Sequence, residues 1–409
     1  MHTLDGSSAG GQYLRTALAL SVLEGEPIRV ENVRGDRSTP GLRPQHLAAL
    51  ETMAAVADAD VSGAAVGAET IEFDPTADAT ASDPGAIPGG SYAVDIGTAG
   101  SVTLLFEALL PLATALESPL SVTATGGTDV AWSPPMDYFR RVKLPLVRRF
   151  GLVATCEVHR RGFHPEGGGR ATLRLAPSTL EPVALDARGP IDGLRIYSVQ
   201  SSGLAGNDVA RRQVEGALER LSDGGLDRSA LSSSEPTLRI ERGDRRTDLE
   251  LRERRETTVA SPCPGTAVVI RLEGTTASEG GESVADDASN VDADDASSDG
   301  EGGSSAGGDS HPSVIAGCSA LGEPGKRAER VGEEAADAAL RFLEGDASVD
   351  RHAADQFLVL LALAGGRVRI PAVTEHVEAG LALLESMDAG LECSLEGGAN
   401  GTTLVADGR

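Results

Sequence analysis

Lysine is almost missing from this 409-residue chain, which carries it only at Lys143 and Lys326. A lysine-rich surface for nucleic acid or anionic lipid is therefore excluded, and any grip on phosphate has to come from arginine. Aromatic residues are nearly as scarce, at 3%, so the core has to be built from Ala, Val, Leu and Ile. Cysteine occurs only at Cys156, Cys263, Cys318 and Cys393. No two stand at CxxC spacing and no histidine stands at zinc-site spacing from them, which points to reduced, mostly buried thiols. No apolar run reaches the ~20 residues of a membrane span, and the first residues, Met1-His2-Thr3-Leu4-Asp5-Gly6, lack a basic leader. A cytoplasmic protein with no membrane partner is expected.

What the chain has in excess is acid, with a formal net charge of −26. The acid is spread along the chain, which reads as adaptation to multimolar salt. At ~1 M salt the Debye length is about 3 Å, so repulsion from an anionic partner is screened. Net acidity therefore does not exclude nucleic acid; it requires contacts at short range.

The organisation follows from apolar periodicity. One pattern recurs three times: an apolar helix, a strand, a second helix and a further strand region. The spans are 11–23, 28–33, 46–57 and 71–73; then 101–116, 120–124, 135–150 and 153–158; then 354–364, 368–370, 375–387 and 391–395. The second helix of the first two units shows a polar stripe. Helices alternating with strands in this way predict layered helix-on-sheet units of an α/β (α+β) protein. Between the second and third units, 180–270 carries strands at 194–199, 237–241, 249–253 and 267–272 and an amphipathic helix at 207–221, a small inserted α+β domain. A tract of Asp, Glu, Ser, Gly and Ala over 275–312 is too polar to fold and predicts a disordered loop. A helix-rich segment, 322–344, leads back to the third unit. The expected division is 1–182, 183–274, 275–312 and 313–409.

Four glycine-bearing stretches stand beside element ends: Gly10-Gly11-Gln12, Gly97-Thr98-Ala99-Gly100-Ser101, Gly126-Gly127-Thr128-Asp129 and Gly167-Gly168-Gly169. Glycine before a helix leaves backbone N–H groups free to cradle phosphate, although each stretch is equally a plain turn, and none is a P-loop or dinucleotide fingerprint. Arginines gather in the first two units, among them Arg15, Arg34, Arg37, Arg43, Arg140, Arg141, Arg160 and Arg161. Their forks match phosphate oxygens; any single one is equally an ion-pair partner of the abundant acid. His376 opens the last helix after Pro371-Ala372-Val373-Thr374-Glu375. A neutral imidazole there is a good nucleophile beside an anionic ligand, or a capping residue.

Taken in order, these motifs resemble the RNA 3′-terminal phosphate cyclase family, as a haloarchaeal-type member. The residues that carry the resemblance are Leu4-Asp5-Gly6 with Gly10 to Arg15, Val33-Arg34-Gly35-Asp36-Arg37-Ser38-Thr39-Pro40-Gly41-Leu42, Gln45-His46-Leu47, Gly97 to Ser101, Gly126 to Asp129, Pro134-Pro135, Arg161-Gly162-Phe163-His164-Pro165-Glu166-Gly167-Gly168-Gly169, His352-Ala353-Ala354-Asp355-Gln356 and His376. The resemblance implies three βα repeats of helix pairs on four-stranded sheets with a small inserted α+β domain. It implies an ATP-dependent, ligase-class enzyme that turns an RNA 3′-phosphate into a 2′,3′-cyclic phosphate, through histidyl-AMP and RNA-adenylate. By position His376 is the nucleophile. His352, Ala353, Ala354, Asp355 and Gln356 line the ATP site, and Glu107 stands where the family has an ATP-contacting Gln. Arg15, Arg34 and Arg37 are the expected phosphate contacts, and a divalent ion, Mg²⁺ or Mn²⁺, is expected with ATP. Three positions depart from the family pattern: Ser8 or Ala9 replaces a metal-contacting Glu, Thr39 replaces a basic residue, and Ala379-Gly380 replaces Thr-Asn. A non-catalytic RNA-binding or ribosome-assembly protein on the same scaffold is the alternative. An enolpyruvyl-transfer-like enzyme, built from similar repeats, would need more cationic substrate residues than this chain holds.

Overall fold

The structure is a computed structural model and describes residues 1–8, 10–75, 85–97, 99–222, 237–242, 245–274, 314–387, 392–398 and 401–408. The acidic tract expected to be a loop lies outside these residues.

The chain opens with β1 (His2–Asp5), α1 (Gly11–Glu24), β2 (Ile28–Glu31), α2 (Pro44–Ala57), β3 (Asp60–Ser62) and β4 (Ile71–Asp74). The same order returns as β5 (Gly90–Asp95), α3 (Val102–Leu109), β6 (Leu120–Gly126), a broken helix, β7 (Ala154–Arg160) and β8 (Gly169–Leu175). The broken helix consists of α4 (Met136–Tyr138), a π-turn over Phe139–Lys143 and α5 (Leu144–Arg148). A third round begins at β9 (Val183–Leu185) and is interrupted by β10 (Gly193–Ser201), α6 (Val209–Leu221), β11 (Thr237–Arg242), β12 (Arg245–Val259), β13 (Thr266–Gly274), β14 (Val314–Leu321) and α7 (Ala328–Glu344). It is completed by α8 (Arg351–Gln356), α9 (Leu358–Ala364), β15 (Gly366–Ile370), α10 (Glu375–Met387), β16 (Cys393–Gly398) and β17 (Gly401–Ala406).

Sheet order makes the repetition explicit. The three four-stranded sheets run β1-β2-β4-β3, β5-β6-β8-β7 and β9-β15-β17-β16. In each, the first two strands are parallel, as expected for strands joined across a helix, and the remaining pairs are antiparallel. The repeat is thus six elements long; the expected unit lacked the leading strand and one strand of the closing pair. One continuous core joins all three repeats, from Leu4 and Leu18 through Phe106 and Leu146 to Leu361 and Leu404.

Two segments fall across the expected boundaries at 183 and 313. The strand β9 pairs with β15 in the third repeat's sheet. The strand β14 pairs with β13 as the edge of a five-stranded sheet ordered β11-β12-β10-β13-β14, and α7 packs with α6 on that sheet through Val214, Leu218, Val331 and Ala335. Two helices and a full sheet bury apolar surface that one helix alone leaves open.

The expected helix at 135–150 changes character at its polar residues. Pro145 has no N–H to bond the Arg141 carbonyl one turn back. The turn widens so that Leu144 N–H reaches Phe139 O, and the Arg141 carbonyl accepts instead from Arg271 Nη1 of β13, at 2.9 Å. Lys143, part of the expected solvent-facing stripe, is 1% exposed.

Candidate active site

Thr374 caps α10: its hydroxyl accepts from Val377 N–H at 3.3 Å. The cap sets His376 in the first turn, exposed, at the mouth of a small cleft. The first turn of α1 forms one wall with Gly10, Gln12 and Tyr13; Asp355 of α8 forms the other. A Cβ on Gly10 would sit 3.7 Å from both His376 Cε1 and Arg37 Nη2, so the imidazole and the guanidinium face each other across one glycine.

Behind the cleft lies a buried polar cluster. Arg15 extends from α1, Glu107 from α3, Lys143 from the π-turn, and Asp355 and Gln356 from α8. Glu107 Oε1, Lys143 Nζ, Asp355 Oδ1 and Gln356 Oε1 are all buried with no hydrogen-bond partner among the described residues. Burial pushes the Glu107 carboxyl up, against the pull of Lys143 and Arg15, and pushes the Lys143 ammonium down, against Glu107, Asp355 and Asp350. The two shifts are one effect seen from both partners: each group is costly to keep charged except beside the other. Burial also raises Asp355, with His376 and His352 opposing, and takes Arg15 down to about 10. Four buried polar atoms without partners, drawn from three elements, form an open set of donors and acceptors for a polar ligand.

Asp350, absent from the expected site, positions this cluster. Its Oδ1 caps α8, accepting from His352 N–H at 2.9 Å and Ala353 N–H at 3.0 Å, and also accepts from Tyr138 O–H at 2.7 Å. Its Oδ2 accepts from Gly317 N–H of β14 at 2.8 Å. The Tyr138 ring meets the His352 ring edge-on at 5.5 Å. An Asp immediately before a helical run is a capping signal legible in sequence; its ties to Tyr138 and Gly317 are not.

The expected phosphate arginines take different places. Arg37 is exposed beside His376. Arg34 has a left-handed backbone, φ 56°, and its Nη1 donates to the carbonyls of Thr39 and Gly41 at 3.0 and 3.1 Å, bracing the loop that carries Arg37. Arg15 Nη1 lies 3.2 Å from a notional Gly11 Cβ, and His46 Nε2 lies 2.3 Å from it, so no side chain fits at Gly11. Two other glycine-bearing stretches brace each other away from the cleft. Thr128 Oγ1 accepts from Gly162 N–H at 3.0 Å, and the buried Arg161 pairs with Asp129 at 3.1 Å and with Asp137. Phe163 then packs on Val199, Cys263 and Ala267 of the insertion. Among the described residues no group of three or more His, Cys, Asp or Glu side chains is placed to hold a metal ion. Nor is any helix among them long and apolar enough to cross a membrane.

His46 gives a pH prediction. It is buried, its Nδ1 accepts from Arg43 N–H at 3.2 Å, and burial, with Arg15, Arg34 and Arg43 nearby, lowers it to about 3. Unfolded His46 binds a proton below about 6.5 whereas the folded residue does not, so this contribution is full above pH 6.5 and is lost as pH falls towards 3. Between pH 6.5 and 5 the loss is about 2 kcal/mol. Gln at this position keeps an acceptor for Arg43 N–H and does not titrate. Denaturant unfolding of His46→Gln is expected to show a flatter pH slope over this window; an unchanged slope refutes the assignment.

A sequence profile described as RNA 3′-terminal phosphate cyclase matches residues 7–390. Curated proteins of that name are similar over nearly the whole length. One from Halobacterium salinarum is 40% identical over 95% of each chain. One from Pyrobaculum aerophilum is 35% identical over 93% of this chain and 91% of its own, and one from Archaeoglobus fulgidus is 35% identical over 90% and 89%. With the three-fold repeat, the insertion and a histidine-bearing cleft in place, a match of this extent shows that the chain belongs to the RNA 3′-terminal phosphate cyclase family.

Proposed function

We propose that the chain converts an RNA 3′-terminal phosphate into a 2′,3′-cyclic phosphate at the expense of ATP, with His376 as the nucleophile. The observation that carries this reading is the cleft itself: an exposed imidazole at one mouth, backed by a buried polar cluster in which four atoms have no hydrogen-bond partner among the described residues. A His376 ring nitrogen attacks the α-phosphorus of ATP, pyrophosphate leaves, and the ring loses its proton. An oxygen of the RNA 3′-phosphate then attacks the same phosphorus, the P–N bond breaks, and AMP passes to the RNA. The vicinal 2′-hydroxyl loses its proton and attacks the RNA phosphorus; AMP leaves and the ring closes.

In this reading Gln356, Asp355 and Glu107 receive the nucleotide with the backbone from His352 to Ala354, and Arg15 offsets its phosphate charge. The free N–H groups at the start of α1 face the same cleft and favour an anion. Among the described residues the side chains alone do not make a metal site. Mg²⁺ held chiefly by phosphate oxygens needs no such cluster.

Incubation with α-labelled ATP is expected to leave acid-labile, alkali-stable label on the protein, and RNA ends become resistant to phosphatase. RNA binding without label supports the non-catalytic alternative instead.

Arg37 separates the two half-reactions. Lys cannot reproduce the two-point fork on phosphate. Arg37→Lys is expected to lower cyclisation of 3′-phosphorylated RNA about tenfold and spare self-adenylation. If adenylation falls equally, Arg37 serves ATP; if neither moves, it is a surface charge.

A further inference from the structure

Twelve aromatic residues occur in the chain, and eleven are buried or half-buried. The exception is the single tryptophan: Trp132 is 98% exposed. Its backbone is left-handed, φ 60°, a conformation that a bulky side chain adopts only when its surroundings impose it. The surroundings here do. On one side, Thr128 and Asp129 are tied to Gly162 and the buried Arg161. Asp129 Oδ1 and Thr128 O both accept from Met136 N–H, at 3.2 and 3.0 Å, closing the base of the loop. Ser133 Oγ donates to Val130 O at 3.0 Å across the tryptophan, and Pro134 and Pro135 stiffen the exit. The loop is a clamped mount that holds an indole in water.

The mount is joined to the elements that carry the buried cluster behind the cleft. Thr103 O–H donates to Pro134 O at 2.8 Å, and Thr103 is one helical turn before Glu107 on α3. On the far side of the loop, Met136 starts the helix whose Tyr138 and Lys143 enter the buried cluster. Two residues of chain, one hydrogen bond and one helical turn place the Trp132 backbone within about 20 Å of Glu107.

We propose that Trp132 is a stacking platform for an unpaired base of the RNA close to its 3′ end; this rests on the reading that the cleft takes such an end. The charge of the chain favours this occupant's mode of binding. With a net charge of −26 and two lysines, contacts to a phosphate backbone rest on arginine alone, and salt weakens such contacts. Base–aromatic stacking needs no charge, accepts any base, and persists in salt. A protein partner or a lipid surface at the same residue is an outcome of the test.

As the only tryptophan, Trp132 is its own reporter. A short RNA ending in 3′-phosphate, added without ATP, is expected to quench its emission saturably in both low and multimolar salt. The same RNA with abasic sites at its last positions is expected to leave the emission unchanged. In cyclisation assays Trp132→Ala is expected to raise KM for RNA about tenfold, the effect of losing one stack, with kcat and self-adenylation by ATP unchanged, and Trp132→Phe to restore most of the loss. Emission that ignores RNA while cyclisation proceeds, quenching by abasic RNA equal to that by intact RNA, or a Trp132→Ala enzyme with wild-type KM each overturns the proposal. Failure of the cleft reading looks different: wild-type protein then takes no label from ATP, whatever its fluorescence does.

Discussion

Replacing His376 by Ala is expected to remove ATP-derived label from the protein and to lower RNA cyclisation by a factor on the order of 10³ or more, the scale on which loss of a nucleophile acts. The side chain is exposed at a capped helix start and lies opposite Arg37 across Gly10, so the substitution leaves no cavity and stability is expected to change by less than about 0.5 kcal/mol. RNA binding, which in the proposed scheme precedes no bond to His376, should survive. Label that persists in the variant would move the nucleophile elsewhere, and undiminished cyclisation would sink the mechanism.

The second large effect is expected at Lys143. Its ammonium and the Glu107 carboxyl share one buried setting, in which Arg15 and Asp355 also act on Glu107 and Asp355 and Asp350 also act on Lys143. Lys143→Met leaves Glu107 with a weaker partner set and a charge to keep out of water. Breaking one side of a buried pair costs about 3–5 kcal/mol. In denaturant titration the single variant is expected to lose stability on that scale, and its KM for ATP in self-adenylation to rise more than tenfold. The Glu107→Gln/Lys143→Met double variant removes both charges at similar volume and is expected to recover to within about 1 kcal/mol of the parent. It also restores the amide that the family resemblance associates with this position. A double variant no better than Lys143→Met would show that the ammonium acts on the ligand directly and not through Glu107.

Lys143 also marks the limit of what the sequence discloses. In a segment containing Arg140, Arg141 and Lys143, charge pattern alone predicts a solvated stripe. Only the widened turn that Pro145 forces, and the carboxylates of other elements, turn Lys143 inward. The long elements were legible because their signals are local: an Ala-Leu helix such as α1, β-branched strands such as β6; the expected helix at 101–116 stops at Leu109, where Pro111 turns Leu110–Thr114 into a 3₁₀ turn. The strand β9, Val-Ala-Leu, is three residues long and carries no pattern. The strand β14 fell beyond the expected boundary at 313 because a long acidic tract separates it from β13, its partner. The cleft was read at His376 and Asp355 through family likeness, whereas the capping Asp350 and the neutral His46 owe their places to contacts between elements distant in sequence.

The placement of β9 before the insertion has a consequence for how the polypeptide is made. A chain emerging from the ribosome N-terminus first can close the first two sheets from contiguous segments. The third sheet waits, because Val183–Leu185 finds its partner only in Gly366–Ile370. The insertion shortens that wait in space if not in time: Arg188, just after β9, donates to the carbonyls of Phe342 and Leu343 at the end of α7, at 2.7 and 3.2 Å, so a folded insertion brings the two sides of the gap near each other and lowers the closure entropy. His376 follows β15 and takes its place only after that strand is made. A nascent chain can therefore display the first two repeats and the insertion while the proposed reactive imidazole is still unmade.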